Sequence, residues 1–478
     1  MKSLIGNKWV DAESGKVIEV INPATGKLVD TVPNLSKEEV DRAVDYAYDA
    51  QKEWAKRSVV ERCEILTKFV ELVRRDRDDL AKTLSDETGK PIREAYGEID
   101  NIFIGVPAYV EKVKHEYGNV IPRGTEKGQE RTLQYTVQQP LGVMVAIIPF
   151  NFPSDIFINK IPPALLMGNS AILKPASVNP LTLTKYIELL VEAGVPMGVV
   201  SVVHGSGSVV GKALTTNPKV AIISLTGSTA AGIDTQKNAA EHLAHTSLEL
   251  GGNDAFIICA DGDLDLAVNE TVWGRLYNTG QVCCASKRFL VENSIKDEYI
   301  KRMVAKINTL KQGDTSDMST DIGCLVSEEA AIEVERQVNE TVEAGANIVC
   351  GGHRDGAFYA PTILDNVTRD MPVAKDMEIF GPVISVIGFD TLDEAIEIAN
   401  GSIYGLSGGI ITSDMKKAFK ASEELECGGV VINGASFFRS FEQPFGGWKY
   451  SGIGNEGIMS TLKEMSRTKT VILKNIGE

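Results

Sequence analysis

A glutamate and a cysteine 34 residues apart offer the most direct chemistry in this 478-residue chain. Glu249 stands in Leu248-Glu249-Leu250-Gly251-Gly252, and Cys283 closes Gly280-Gln281-Val282-Cys283. A cysteine attacks a carbonyl only as its thiolate, and at an ordinary pKa of roughly 8.5 little is ionised at neutral pH, so a nearby base or dipole is needed. Cys283 is the candidate nucleophile for acyl chemistry and Glu249 its candidate base. Each also has a plainer reading. Free cysteines, Cys284 next door included, often act as small buried hydrophobes, and many carboxylates only support structure. A third candidate is Asn151 in Pro149-Phe150-Asn151-Phe152-Pro153, where prolines stiffen the turn. Its amide can donate to a developing oxyanion, an interaction worth roughly 3–4 kcal/mol when preorganised, although a lone buried asparagine also serves as an ordinary turn residue.

Those residues need a scaffold, and the apolar runs supply one. Val143 to Ile148, Ser170 to Leu173, Val199 to Val203 and Val220 to Leu225 each read as a strand buried on both faces, followed by a turn and a helix-compatible segment. Four such units predict a doubly wound α/β sheet whose ligands lie beyond the carboxyl ends of its strands. Gly205-Ser206-Gly207-Ser208-Val209-Val210-Gly211 is GxGxxxG and departs from the GxGxxG dinucleotide fingerprint, so alone it says little. Thr226-Gly227-Ser228-Thr229 says more, since small hydroxyl residues at a helix start present backbone N–H groups to a pyrophosphate; an ordinary N-cap looks the same. A second α/β pattern follows Gly252, with apolar runs at Ala255 to Ile258, Val383 to Phe389 and Gly428 to Val431. Near the N-terminus, residues 22–26 (NPATG) read as a turn between strands, and Ser36-Lys37-Glu38-Glu39 as a capping box with Val40, Ala43, Val44 and Ala47 as the helix stripe.

Composition narrows the classes. Hydrophobic residues make up 43% and charged residues 24%, the profile of a globular enzyme, and the length predicts two or three domains. A formal net charge of -16 argues against a nucleic-acid partner, which requires a basic face. No signal peptide or apolar run long enough to span a membrane is visible, so a cytoplasmic location is expected. Seven cysteines without CxxC spacing indicate neither a disulfide framework nor a zinc site.

PFNFP at 149, KPAS at 174, LTGST at 225, ELGG at 249, GQVCC at 280, EIFGPV at 378 and PFGGWKYSG at 444 occur in one order. That order closely resembles the NAD(P)-dependent aldehyde dehydrogenase superfamily over nearly the whole chain. The resemblance implies an α/β fold with a Rossmann-like cofactor domain (1–119 and 141–251), an α/β catalytic domain (252–450) and a small β oligomerisation arm (120–140 and 466–478). It implies that Cys283 forms a thiohemiacetal with an aldehyde, that Asn151 and the Cys283 N–H form the oxyanion hole, and that hydride leaves for the nicotinamide. Glu249 then activates the water that hydrolyses the thioester, giving a free carboxylic acid. Lys160 and Glu456 match a proton relay behind Glu249, with Asn455 where many relatives carry arginine. Cofactor contacts are implied at Ile147, Pro149, Phe150, Lys174, Ser177, Gly207, Gly211, Gly227, Ser228, Leu250, Glu378 and Phe380. Lys174 would meet the adenosine ribose, Ser228 the pyrophosphate, and Glu378 with Phe380 the nicotinamide ribose and ring. No metal is implied, and a homodimer or homotetramer is.

One departure bears on the cofactor, NADP or NAD. Members that prefer NAD place a glutamate where Ser177 stands, and its loss removes the repulsion of a 2′-phosphate. For the substrate, KPAS resembles succinate-semialdehyde dehydrogenases, yet Asn159 replaces the arginine common there. Residues 431–439 (VINGASFFR) resemble lactaldehyde or glyceraldehyde-phosphate members, yet Val282 stands where non-phosphorylating glyceraldehyde-3-phosphate enzymes often have arginine. Arg439 is a possible anion anchor or simply a structural arginine. The expected substrate is a small aliphatic, hydroxylated or carboxylated aldehyde; aromatic or phosphorylated aldehydes, a coenzyme A-acylating relative and a catalytically silent binding protein are the alternatives.

Overall fold

A computed structural model describes residues 1–116 and 118–476; positions 117, 477 and 478, the last two within the expected arm segment, lie outside the described residues. Among the described residues, two large sheets carry the chain. The first runs, in spatial order, Lys8–Val10, Ser3–Ile5, Val200–Val202, Ser170–Lys174, Val143–Ile147, Val220–Thr226, His245–Glu249, Gly452–Ile453. Its five central strands are parallel, and the flanking ones pair antiparallel. The four expected apolar runs are four of those five strands, and residues 143–146, 170–174 and 200–202 are buried throughout because helices cover both faces.

Strand order locates the ligand edge. From Val143–Ile147 the chain winds outward through Ser170–Lys174 to Val200–Val202, then returns to the other side as Val220–Thr226 and His245–Glu249. The winding reverses between Val143–Ile147 and Val220–Thr226, and a crevice opens beyond the carboxyl ends of strands at such a switch point. Residues 149–151 and 226–228 leave those two strands on that edge.

The second sheet runs Asn347–Cys350, Thr362–Asp365, Val383–Phe389, Ser286–Glu292, Asp254–Ile258, Ser407–Ile411, Gly429–Ile432, parallel except for its first pair. Cys283 lies three residues before Ser286–Glu292, at the amino edge of this sheet, whereas Glu249 ends a strand of the first. The site therefore forms where the carboxyl edge of one sheet faces the amino edge of the other. A third sheet of Val120–Ile121, Leu133–Pro140 and Ser466–Leu473 stands apart, its long strands in register from Ser466 opposite Pro140 to Leu473 opposite Leu133.

Local signals behave as their chemistry dictates. Ser36 and Glu39 form a reciprocal capping box on helix Lys37–Trp54, and Val40, Ala43, Val44 and Ala47 are its fully buried stripe. Residues 22–26 turn between Val17–Ile21 and Leu28–Pro33, with Gly26 at φ 68°. Gly207–Gly211 forms a single π-helical turn that Ser206 caps by accepting from the Val209 N–H at 3.2 Å.

Candidate active site

Asn151, Thr226, Glu249, Cys283, Arg439 and Glu456 line one cavity of about 250 Å³. The turn bearing Asn151 is locked through its backbone. Its carbonyl accepts from Lys90 Nζ at 3.0 Å and from Asn278 Nδ2 at 2.8 Å, and Glu98, ion-paired to Lys90, accepts from the Ser154 N–H at 2.7 Å. The Asn151 side chain itself has no hydrogen-bond partner among the described residues, so its amide is free to donate into the cavity. The Cys283 N–H is likewise unpartnered among the described residues.

Glu249 ends its strand opposite Thr226 and is 5% exposed. Glu249 Oε1 and Thr226 Oγ1 are buried and unbonded. Burial, then the Cys283 thiol and the Glu456 carboxylate, push Glu249 well above the ordinary carboxylate range. The neighbouring Cys284 thiol, then burial, push Cys283 well above the ordinary thiol range, against the pull of Lys287 and Arg439.

Behind Glu249 stands a charged cluster. Lys160, on helix Pro153–Leu166, donates to Ser224 Oγ at 2.8 Å and Glu456 Oε1 at 3.0 Å, and Arg439 Nη2 reaches Glu456 Oε2 at 2.6 Å while its guanidinium lies 4.2 Å over Phe445. Burial raises Glu456, but the two cations outweigh it and hold the carboxyl below its ordinary value.

The loop before Cys283 holds three successive residues in left-handed conformation: Asn278 at φ 49°, Thr279 at 54° and Gly280 at 76°. A β-branched threonine there is strained. The loop is held because Glu94 accepts from the Asn278 N–H at 2.9 Å, Gln281 Nε2 donates to Asn278 O at 3.1 Å, and Gln281 Oε1 accepts from the Val326 N–H at 2.9 Å. At Gly280 a Cβ would lie 2.3 Å from Gly381 O. Gly280→Ala is expected to lower stability by about 2–5 kcal/mol, read as a lower urea midpoint; an unchanged midpoint would contradict the observed packing.

The groups able to hold a dinucleotide line the carboxyl edge of the first sheet. Lys174 ends its strand beside Ile147, is 5% exposed, and its ammonium meets only Pro175 O at 3.2 Å, with no carboxylate partner among the described residues. Burial lowers its pKa to about 8. A buried cation without a counter-charge suits an anionic or hydroxyl-rich ligand. Ser177 Oγ donates to Gly205 O at 3.2 Å, tying the Lys174 turn to the turn ahead of Gly207 and Gly211. Ser228 caps helix Thr229–Ala240, whose positive end opens beside Gly227. Leu250 packs against Gly232, where a Cβ would come within 2.5 Å of it. Pro149 and Phe150 follow Ile147, and Phe150 meets Phe380 edge-on at 5.9 Å. Glu378 accepts from the Gly252 N–H at 3.3 Å and pairs with Lys287 at 3.2 Å; Gly251 leaves room for it, since a Cβ there would lie 2.5 Å from Glu378 Oε2. The Gly-Gly pair after Glu249 thus admits another protein carboxylate and the Cys283 carbonyl.

Residues 9–471 match the profile of the aldehyde dehydrogenase family. The chain belongs to the aldehyde dehydrogenase family. It is 36% identical to 3-sulfolactaldehyde dehydrogenase of Pseudomonas putida over 99% of this chain and 97% of that one. It is 36% identical to lactaldehyde dehydrogenase of Methanococcus maripaludis, strain C7, over 99% of this chain and 100% of that one. A crystal structure of an E. coli NADP-dependent enzyme superposes with a TM-score of 0.95 at 36% identity, covering 99% of this chain and 98% of that one.

The aldehyde dehydrogenase fold brings four of the five expected catalytic residues to the cavity wall, Cys283, Glu249, Asn151 and Glu456, and sets Lys160 one contact behind them. Sequence reasoning missed Lys90, Asn101, Asp155 and the aromatic wall of Phe152, Trp273, Tyr277 and Phe437. Asp155, four residues after Asn151, carried a signal: an acid in an otherwise apolar helix turn.

Proposed function

We propose that this chain oxidises a small aliphatic aldehyde, hydroxylated or carboxylated, to the free acid with NADP or NAD. The observation that carries the reading is the convergence of the Cys283 thiol, the free Asn151 amide and the unbonded Glu249 Oε1 on one small cavity. Cys283, once deprotonated, attacks the carbonyl carbon, and the C=O π pair moves to oxygen, where the Asn151 amide and the Cys283 N–H donate. A bound nicotinamide supplies the acceptor for the hydride of the resulting thiohemiacetal. Glu249 takes a proton from a water that attacks the thioester, the C–S bond breaks, and Cys283 is restored as the acid leaves. Lys160 and Arg439 hold the Glu456 carboxylate behind Glu249, where its charge strengthens Glu249 as a base toward water, and the proton that Glu249 takes up passes to solvent before the next turnover. An aldehyde panel run with both cofactors tests this: reduction of NADP or NAD with acid formation supports it, and no reduction with any aldehyde, or turnover strongly raised by coenzyme A, overturns it.

The buried Lys174, with no carboxylate partner among the described residues, and the absence of a carboxylate at Ser177 favour acceptance of NADP, the cofactor on which the E. coli neighbour depends. The kcat/KM for NADP is expected to lie within tenfold of that for NAD or to exceed it, and Ser177→Glu to lower the NADP value by about tenfold or more by placing a carboxylate where the 2′-phosphate would lie. An NAD preference above tenfold in the native protein would contradict this.

The two large sheets and the separate three-stranded sheet support a division into cofactor domain, catalytic domain and arm. Strand Ser466–Leu473 forms an exposed eight-residue edge, and such edges are normally covered, which supports assembly into a dimer or tetramer.

A further inference from the structure

The cavity wall carries one carboxyl side chain to which the proposed reaction gives no task. Asp155 occupies the third position of helix Pro153–Leu166 and is half-buried against the cavity. An acid at that position commonly accepts from a backbone N–H at the helix start, but neither Asp155 oxygen does so here. Oδ1 instead accepts from Asn101 Nδ2 at 2.8 Å, and Oδ2 has no hydrogen-bond or ion-pair partner among the described residues. Burial, and then the carboxylate of Glu98, raise its pKa to about 7.

The rest of the wall is largely aromatic. Phe152 and Tyr277 stack at 6.1 Å within 9° of parallel, and Phe437 packs on Trp273 at 4.7 Å and on Tyr277 at 5.3 Å. The cation that also lines the cavity, Arg439, is already engaged by Glu456 at 2.6 Å. We propose that Asp155, oriented by Asn101, is the specificity-determining acceptor of the substrate cavity, selecting aldehydes whose chain carries a hydroxyl over those whose chain carries a carboxylate. This rests on the aldehyde-oxidising function above and narrows its substrate class. A substrate hydroxyl donates to Oδ2, satisfying an oxygen that an apolar chain would leave desolvated. A substrate carboxylate has no donor to share with Oδ2 and meets a like charge in a poorly screened site. Asn101 holds the acid by one oxygen and leaves the other without a protein partner among the described residues, on a side chain that lines the cavity.

The test uses the full chain at pH 8.5, where Asp155 is ionised, and compares kcat/KM for butanal, 4-hydroxybutanal and succinate semialdehyde, with propanal and lactaldehyde as a second pair. The native protein is expected to favour the hydroxylated member of at least one pair, and to favour 4-hydroxybutanal over succinate semialdehyde by tenfold or more. Asp155→Leu is expected to lower kcat/KM for the preferred hydroxyaldehyde by tenfold or more, chiefly through KM, and to raise the values for the unsubstituted aldehyde and for succinate semialdehyde. Asp155→Asn, which keeps the shape without the charge, should retain part of the hydroxyl preference while relieving the exclusion of the carboxylate. A common factor of loss across all substrates would assign Asp155 a structural role and overturn the proposal, as would a native preference for succinate semialdehyde; these native ratios decide the matter even if the variants fail to fold. Oxidation of butanal without a hydroxyl preference overturns this inference alone, whereas no oxidation of any of the five aldehydes overturns the proposed function and this inference with it.

Discussion

Replacing Cys283 with serine should lower aldehyde oxidation by roughly 10⁴-fold or more while leaving the fold and cofactor binding intact. A serine hydroxyl ionises far less readily than a thiol, and nothing at this site would compensate. The Glu249 carboxyl is itself held well above its ordinary range by burial, and Lys287 commits its ammonium to the Cys283 carbonyl at 2.5 Å and to Glu378. The exchange is nearly isosteric in a packed cluster of Val282, Cys284, Ala285, Leu406 and Phe445, so the melting temperature should move little. Cys284→Ala is the informative control. The Cys284 thiol is the first cause of the raised Cys283 pKa, so its removal should bring that pKa down and speed alkylation of Cys283 by iodoacetamide at neutral pH. Comparable oxidation rates in Cys283→Ser and the native chain would end the covalent account.

Glu249→Gln carries the second large effect, on a different step. The amide keeps the shape of the carboxylate but accepts no proton, so steady-state turnover should fall by about 10²- to 10³-fold. At a pH high enough to ionise Cys283 without help, stopped-flow absorbance should still show a first turnover of reduced nicotinamide, because only the later hydrolysis then needs Glu249. The pH dependence has a definite sign. With Glu249 held above its ordinary range, the native site gains its base as pH rises, so kcat should climb through a limb lying well above the ordinary carboxylate pKa of roughly 4.3. In Glu249→Gln that limb should disappear from the residual activity. A native limb near the ordinary carboxylate value, or a variant that loses the burst together with the steady state, would assign Glu249 a different part.

Much of this arrangement was legible from the sequence. The strands buried on both faces announce themselves as unbroken apolar runs, and residues 36–39 state a helix start in side-chain chemistry alone. Strand Ser286–Glu292 hides because it carries Lys287 and Arg288. Both are buried, and Arg288 is satisfied by the carbonyls of Asn253, Ile398 and Ala399 at 2.6, 2.9 and 2.8 Å, partners that no local pattern reveals. Strand Ser407–Ile411 hides behind Gly408 and Gly409, which read as a turn; Gly409 is there because a Cβ would come within 2.6 Å of Gly434 O and 2.9 Å of Phe256.

At the site, the residues held in short glycine- or proline-bearing frames, Asn151, Glu249 and Cys283, could be singled out because their frames are local. Contacts made across the chain could not be read in the same way. Arg439 meets Glu456 17 residues away, Asn101 meets Asp155 across 54, and Lys90 reaches the Asn151 carbonyl across 61. The strain before Cys283 was half visible: Gly280 marks a left-handed position, but nothing about Thr279 announces φ 54°.

The central claim is that an acyl group passes through the sulfur of residue 283. The direct measurement is to mix Glu249→Gln with NADP and an oxidisable aldehyde, quench in acid after the first turnover, digest, and map masses to peptides. The account predicts the acyl mass on Cys283 in an amount matching the reduced nicotinamide formed. Reduced nicotinamide without an acylated peptide, or the acyl group on Cys284, would contradict it.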